Sequence, residues 1–189
     1  MTQNLKIAVL VGSLRKASIT RRLAEAAMKL SQGGFAYKIV EIGALPLYNQ
    51  DLEDGGAPPA WTEFRDAIRG VDGVLFFTPE YNRSVPAALK NALDVGSRAP
   101  GKSVWYGKPA AIISVSPGAL GGFGANHHLR QSLVFLNMPA MAQPEAYVGH
   151  AANLVADDFS IPVEVSRNFI AAFIAAYEAW VTTLVPAKG

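Results

Sequence analysis

Cysteine is absent from this chain of 189 residues. Its absence excludes disulfides, thiolate catalysis and zinc or iron–sulfur clusters held by cysteine. Long apolar runs are missing too, because no stretch reaches the roughly 18 residues that a membrane-spanning helix needs. The first residues do not combine a basic start with a long apolar run, as an export signal would. We therefore expect a cytoplasmic protein that does not bind membranes.

Charge is also scarce, since 17% of the residues are charged and 50% are hydrophobic. That balance is typical of a well-packed globular chain. The formal net charge of +2 is too small to indicate a nucleic-acid-binding protein. At this length the chain is most simply one domain, residues 1–189. The expected partners are small molecules.

Acidic residues are absent before Glu25. In the stretch 9–24, an apolar strand-like run gives way to Gly12 and then to a helical pattern. The loop between them is rich in hydroxyl and basic side chains, namely Ser13, Ser18, Thr20, Arg15, Lys16, Arg21 and Arg22. The first turn of a helix has unpaired N–H groups and a positive dipole end, worth roughly 0.3 to 1 kcal/mol per anionic charge. This loop is therefore predicted to bind a phosphate monoester.

Two phosphate-binding motifs are missing from the same loop. It contains neither the G-x-G-x-x-G fingerprint of dinucleotide-binding proteins nor the G-K-[ST] ending of a P-loop. Hydroxyls and an arginine suit a terminal phosphate enclosed on several sides better than a pyrophosphate on bare backbone. The alternative is an ordinary N-capped helix with a solvated basic face.

Strand-like and helical patterns alternate along the chain, which predicts a parallel sheet with helices on both faces. The predicted strands are residues 6–11, 37–42, 73–78, 110–115 and, more weakly, 140–148. The predicted helices are residues 20–30, 59–69, 86–97, 125–137 and 162–184. Residues 43–59 read as a long loop, and the last helix carries an apolar stripe that includes Phe169, Trp180 and Leu184 and is expected to face the core.

Three polar or glycine-rich loops follow the first, third and fourth predicted strands. Their sequences are GSLRKASIT, TPEYNRSVPAALKNALD and SVSPGALGGFG. Ligands of open parallel sheets bind beyond the carboxyl ends of the strands, where the strand order reverses. A strand order of 2-1-3-4-5 would make these three strands neighbours, so the loops are predicted to form one pocket.

The motifs in these loops carry a resemblance to a known family. They are G-S-x-R-x-x-S at residues 12–18, P-E-Y-N at 79–82, followed by S-V-P and by L-K-N-A-x-D at 89–94, and S-x-G-x-x-G-G at 116–122. In this order the chain resembles the NADPH-dependent FMN reductases, flavodoxin-like flavoproteins that include chromate and quinone reductases. Thr20 stands where many relatives have Asn, and its hydroxyl can still donate a hydrogen bond.

The resemblance implies a flavodoxin-like three-layer sandwich, a five-stranded parallel sheet of order 2-1-3-4-5, and FMN bound without a covalent bond. It implies cofactor contacts in three groups. These are Ser13, Arg15, Ser18 and Thr20 at the phosphate, Pro79, Glu80, Tyr81 and Asn82 along the ribityl chain and ring, and Ser116, Gly118, Gly121 and Gly122 on the other side. Because a flavin accepts hydride at N5 without an acid or base, Glu80 is interpreted as structural and no catalytic side chain is expected.

The implied activity is NAD(P)H-dependent reduction of quinones, flavins, chromate or similar oxidants through FMN. Both substrates would need the same exposed flavin face, which predicts ping-pong hydride transfer. Arg83 is predicted to contact the NADPH phosphates, the alternative being a solvated or interface charge. The choice between NADH and NADPH stays open. A flavodoxin-like electron carrier that serves protein partners is the alternative function, although its phosphate loop would usually not be basic.

The resemblance also implies a homodimer or homotetramer with the flavin at an interface. Leu45, Pro46, Tyr48 and Asp51 would then face a partner subunit. Trp105 and Tyr106 are interpreted either as exposed aromatics at a subunit contact or as loop packing. The adjacent His127 and His128 project about 100° apart on a helix, so no metal site is expected there.

Overall fold

The computed structural model describes residues 4–98 and 101–186. Five strands alternate with six helices, in the order β1 Leu5–Val11, α1 Ile19–Met28, β2 Phe35–Ile39, α2 Gln50–Asp54, α3 Pro59–Arg69, β3 Gly73–Pro79, α4 Ala87–Ser97, β4 Ala110–Val115, α5 Phe123–Phe135, β5 Ala146–Val148 and α6 Glu164–Leu184. A short 3-10 helix, Ala151–Asn153, follows β5. None of the helices in these described ranges is long and apolar enough to span a membrane.

The five strands form one parallel sheet of order β2-β1-β3-β4-β5, which confirms the predicted fold. Strands β1, β3 and β4 occupy its middle and are buried almost throughout. Apolar residues do not alternate with polar residues in these strands, because helices cover both faces of the parallel sheet. Val11 pairs with Phe77, and Thr78 pairs with Ser114. The carboxyl ends of the three strands therefore lie side by side.

Helices pack on both faces of the sheet and divide the core in two. On one face, α1 and α6 bury Leu23, Phe173 and Tyr177 against the sheet. On the other face, Trp61 and Leu129 belong to the cluster that joins α3, α4 and α5. The predicted α6 stripe is right at its centre but wrong for Phe169 and Leu184, which are exposed. Phe169 lies about 100° around the helix from the buried Ile170, and Leu184 is the last residue of the helix.

Two predicted strands were misplaced. Strand β2 begins two residues early because its ladder with β1 starts at the pair Leu5 and Phe35. Strand β5 covers three residues, whereas Ala140 makes an isolated bridge to Ala110. Pro144 lies between them and has no N–H group to extend the ladder.

The predicted loop 43–59 contains a helix, α2, that the sequence analysis missed. The Asn49 side chain accepts a hydrogen bond from the N–H of Asp51 at 3.0 Å and so caps the helix. Its Glu53 forms a nearly buried ion pair with Arg65 of α3 at 2.6 Å. The loop is therefore a structured segment fixed to the α3 face of the sheet.

Trp105 is fully buried, so its interpretation as an exposed contact is wrong and the loop-packing alternative is correct. Its indole N–H donates to the carbonyl of Leu93 at 2.9 Å. The ring covers Gly96 of α4, where an added Cβ would lie 2.5 Å from the indole. Tyr106, in contrast, is 73% exposed.

We expect Gly96→Ala to destabilise the fold by about 1–3 kcal/mol, because the new methyl group overpacks against Trp105. An alanine that fitted into a helix without strain would instead raise the free energy of unfolding by about 0.5–1 kcal/mol relative to glycine. Gly70→Ala is the matched control, since its Cβ would meet the nearest atom at an ordinary 3.5 Å. Urea unfolding checks both variants. A Gly96→Ala protein as stable as the wild type would show that Trp105 does not constrain this position.

Candidate cofactor cleft

The loops that follow β1, β3 and β4 meet in one cleft of about 150 Å³, as predicted. The cleft is lined by Ser13, Arg15, Ser18, Ile19 and Thr20 from the first loop, Pro79, Glu80 and Tyr81 from the second, and Val115, Ser116 and Pro117 from the third. Four of the predicted cofactor residues belong to these loops but do not line the cleft. They are Asn82, Gly118, Gly121 and Gly122. The prediction missed Ile19, Val115 and Pro117. Ile19 and Val115 directly adjoin the motifs, and Pro117 is a variable position within the third motif.

The first loop contains many unpaired hydrogen-bond donors. The N–H of Gly12 still donates to the carbonyl of Phe77 at 2.8 Å. Apart from the turn at residues 16–17, no backbone N–H from Ser13 to Thr20 donates a hydrogen bond of normal geometry within the described chain. Ser18 caps α1 by accepting a hydrogen bond from the N–H of Arg21 at 3.0 Å. The side chains of Ser13, Ser18 and Thr20 are buried. Unpaired, buried hydrogen-bond donors at a helix N-terminus are typical of an anion-binding site.

The basic residues of this loop separate into two groups. Both Arg15 and Lys16 are exposed, but only Arg15 lines the cleft. Arg21 forms ion pairs with Glu41 at 2.7 Å and with Glu25 at 3.1 Å, and its hydrogen bond to Glu41 is the main cause of its raised pKa. Arg22 donates to the carbonyl of Val155 at 2.8 Å. Arg15 is thus the basic residue of the loop that faces the cleft.

The second loop turns sharply just after β3. Tyr81 and Ser84 exchange backbone hydrogen bonds of 3.1 and 3.0 Å, and Asn82 and Arg83 between them have φ values of 51° and 64°. Both values lie in the left-handed region, which Asn tolerates but which costs energy for Arg. The turn leaves Tyr81 49% exposed at the cleft, and the Arg83 side chain is 74% exposed.

Glu80 is held by groups from two directions. One carboxylate oxygen accepts a hydrogen bond from the N–H of Ala125 at 3.0 Å, and the other lies 3.7 Å from the Arg83 guanidinium. These contacts support the structural interpretation of Glu80. The link to α5 joins residues that are far apart in the chain, so no local sequence pattern could reveal it.

The glycines of the third loop have a structural explanation. Gly121 and Gly122 have φ values of 59° and 76°, and a Cβ on Gly121 would lie 2.4 Å from the backbone of Tyr147. Close packing of this loop on the sheet therefore requires glycine there. Ser116 accepts a hydrogen bond from the N–H of Gly118 at 2.9 Å, which tightens the turn.

The two histidines have different partners. His127 lies 2.9 Å from the hydroxyl of Tyr147, and His128 lies 2.8 Å from the hydroxyl of Ser84. Burial and the nearby Glu145 raise the pKa of Tyr147 to about 12. Within residues 4–98 and 101–186, no three potential metal ligands of the His, Cys, Asp or Glu type are grouped to hold an ion.

The sheet order and the phosphate-type loop define a flavodoxin-like nucleotide-binding protein. The model of the NADPH-dependent FMN reductase family matches residues 5–153, so the chain belongs to that family. It is therefore an oxidoreductase that uses FMN as cofactor and NAD(P)H as reductant. This membership favours the reductase over the electron-carrier alternative.

Individual proteins and structures agree with the family match. A quinone reductase of Pseudomonas putida is 57% identical over 181 residues, which cover 96% of this chain and 97% of that protein. A 2-hydroxy-1,4-benzoquinone reductase of Burkholderia sp. is 46% identical over 94% of this chain and 96% of its own. The structure of FerB, a flavoenzyme NAD(P)H:(acceptor) oxidoreductase of Paracoccus denitrificans, matches with a TM-score of 0.92 and 38% identity over 96% of this chain and 100% of that chain.

The residues of the cleft fit FMN. A terminal phosphate needs several donors and a positive charge, and the first loop offers free N–H groups, three buried hydroxyls and Arg15. The phosphate is the charged end of FMN, so this loop suits that end.

We expect Arg15→Ala to weaken FMN binding about 10- to 150-fold, because a charge-assisted hydrogen bond is worth roughly 1.5 to 3 kcal/mol. Lys16→Ala is the matched control and should change the dissociation constant less than about 3-fold, since Lys16 does not line the cleft. Fluorescence titration of the apoprotein with FMN measures both constants. Equal small losses in the two variants would show that the loop is merely basic.

Proposed function

We propose that this protein is an NAD(P)H-dependent quinone reductase that holds FMN in the cleft at the carboxyl ends of β1, β3 and β4. The main support is the loop of unpaired donors at residues 13–20, which opens onto the same cleft as the second and third loops. The names of the two relatives described above support quinones as the acceptors.

In this proposal the first loop binds the FMN phosphate through Ser13, Arg15, Ser18 and Thr20. Residues 79–82 and 116–122 lie on either side of the rest of the cofactor. When bound, FMN supplies the transfer of two electrons between NAD(P)H and the acceptor. The protein binds and orients the reactants, because the one carboxylate among the cleft-lining residues, Glu80, is already held by Ala125 and Arg83.

A flat, apolar oxidant suits the surface next to the cleft. Arg15 and Tyr81 also border a shallow, mainly apolar hollow of about 400 Å³ formed with Gly12, Leu14, Pro86, Ala87 and Ala88. Leu14 and Tyr81 are both about half exposed there, at 56% and 49%. Such a surface favours quinones over a small hydrophilic oxyanion. Reduction of free flavin or chromate stays a prediction from the sequence.

We expect the FMN-loaded protein to oxidise NAD(P)H with a benzoquinone by a ping-pong mechanism, since both substrates need the same exposed side of the cofactor. Initial rates measured over a grid of both substrate concentrations should give parallel double-reciprocal lines. Intersecting lines would contradict the ping-pong mechanism. Absence of quinone-dependent NAD(P)H oxidation by protein with full FMN occupancy would contradict the proposed function itself.

Arg83 is the proposed contact for the phosphates of the reductant. Its guanidinium is mostly exposed and weakly paired, and its backbone adopts a costly conformation on the turn beside Tyr81. A strained residue at the edge of a cleft is consistent with a functional role.

We expect Arg83→Ala to raise KM for NADPH about 10-fold or more, because the variant loses a charge-assisted contact worth about 1.5–3 kcal/mol. If Arg83 binds the 2′-phosphate, KM for NADH should stay within about 2-fold, which makes NADH the internal control. Steady-state kinetics at saturating quinone measures both. Unchanged KM values for NADPH and NADH would leave Arg83 as a solvated charge.

Assembly stays a prediction from the family resemblance, and the cytoplasmic location stays a prediction from the sequence. The segment proposed to face a partner is well fixed, because the Asn91 side chain binds the carbonyls of Leu45 and Pro46 and the N–H of Tyr48. It presents Leu47 with 74% exposure. Sedimentation equilibrium distinguishes a homodimer from a homotetramer.

A further inference from the structure

Helix α5 begins without a capping side chain of its own. Its N-cap residue is Gly122, and its first turn contains no acidic residue. The N–H of Ala125 in that turn donates to a carboxylate oxygen of Glu80 at 3.0 Å. Glu80 therefore supplies, from the loop after β3, the negative charge that the N-terminus of this 13-residue helix lacks.

The position of this carboxylate is fixed by close packing. A Cβ on Gly124 would lie 2.9 Å from the Glu80 carboxylate and 2.9 Å from the carbonyl of Arg83. The turn after β3 thus rests directly on the first turn of α5. The Glu80 side chain is only 15% exposed, so water screens its charge less than it would screen a surface charge.

The charge of Glu80 is only partly balanced. The helix N-terminus carries the equivalent of roughly half a positive charge. The other neighbouring cation, Arg83, lies 3.7 Å away with a side chain that is 74% exposed, which makes a weak ion pair. Because Glu80 also lines the cleft, the unbalanced part of its negative charge acts on whatever occupies that cleft.

We propose that Glu80 sets the reduction potential of the bound FMN and holds it below the value that an uncapped α5 would give. Uptake of two electrons and one proton adds one negative charge to the flavin ring. The Glu80 carboxylate opposes that charge and cancels the helix dipole that would otherwise favour it. A lower potential favours passage of the electrons to an acceptor. The proposal rests on FMN occupying the cleft and does not depend on the acceptor being a quinone.

The test is a spectroelectrochemical titration of FMN-loaded Glu80→Gln. The amide keeps an oxygen that can accept the hydrogen bond from Ala125 but removes the charge. The midpoint potential should rise. The rise corresponds to a fall of about 3- to 30-fold in the dissociation constant of reduced FMN divided by that of oxidised FMN, as expected for a charge several ångströms away in a partly buried site. Glu63→Gln removes an exposed charge on α3, outside the cleft, and should leave the potential unchanged.

Arg83→Ala provides a second measurement that does not depend on the stability of the Glu80 variant, because the Arg83 side chain is mostly exposed. Removing its positive charge leaves Glu80 less balanced, so the potential should fall. An unchanged or lower potential in Glu80→Gln overturns the proposal. If that variant does not fold or does not retain FMN, an unchanged or higher potential in Arg83→Ala overturns it. Neither titration needs a nicotinamide or a quinone, so failure here is distinct from failure of the proposed function.

Discussion

The parallel pairing of β1, β3 and β4 is the constraint on which the cleft depends. Val11 lies opposite Phe77, and Thr78 lies opposite Ser114, so the three strands end at nearly the same level. The loops that begin at Gly12, after Pro79 and at Ser116 must then start side by side. Residues more than a hundred positions apart in the chain are thus brought into one cleft by strand register.

The two ends of the cleft differ in electrostatic character, because the hydrogen-bond donors are mostly unpaired at one end and already paired at the other. In the first loop, most backbone N–H groups of residues 13–20 and the Arg15 side chain have no hydrogen-bond partner within the described chain, so this end attracts an anion. At the second loop, Glu80 already occupies the N-terminus of α5. The N-terminus of α1 thus opens onto the cleft, whereas a carboxylate side chain already occupies the N-terminus of α5.

Features that depend on neighbours in the chain could be predicted from the sequence. The buried strands are continuous apolar runs without alternating polar residues. The first loop has several hydroxyl side chains and no acidic residue, so both features could be recognised from the local sequence. The strand order needed the family resemblance as well. The predicted cofactor residues largely converge on the cleft, although their contacts with FMN remain proposals.

Features that depend on distant contacts could not be predicted in this way. No local pattern shows that Arg21 forms an ion pair with Glu41 on the next segment of the chain. The close packing of Gly121 against the backbone of Tyr147 also joins distant residues, and the assignment of the third-loop glycines to the flavin stays a prediction. The burial of Trp105 depends on the space above Gly96, which no periodicity reveals.

Hydrogen–deuterium exchange of the backbone amides at residues 13–20 tests the central claim most directly, because most of their N–H groups have no hydrogen-bond partner among the residues that the structure describes. FMN should slow exchange in this segment about 10-fold or more, since each bound N–H must then open before it exchanges. Riboflavin, which lacks the phosphate, should leave these amides fast. Protection by FMN elsewhere, with residues 13–20 unchanged, would contradict the account.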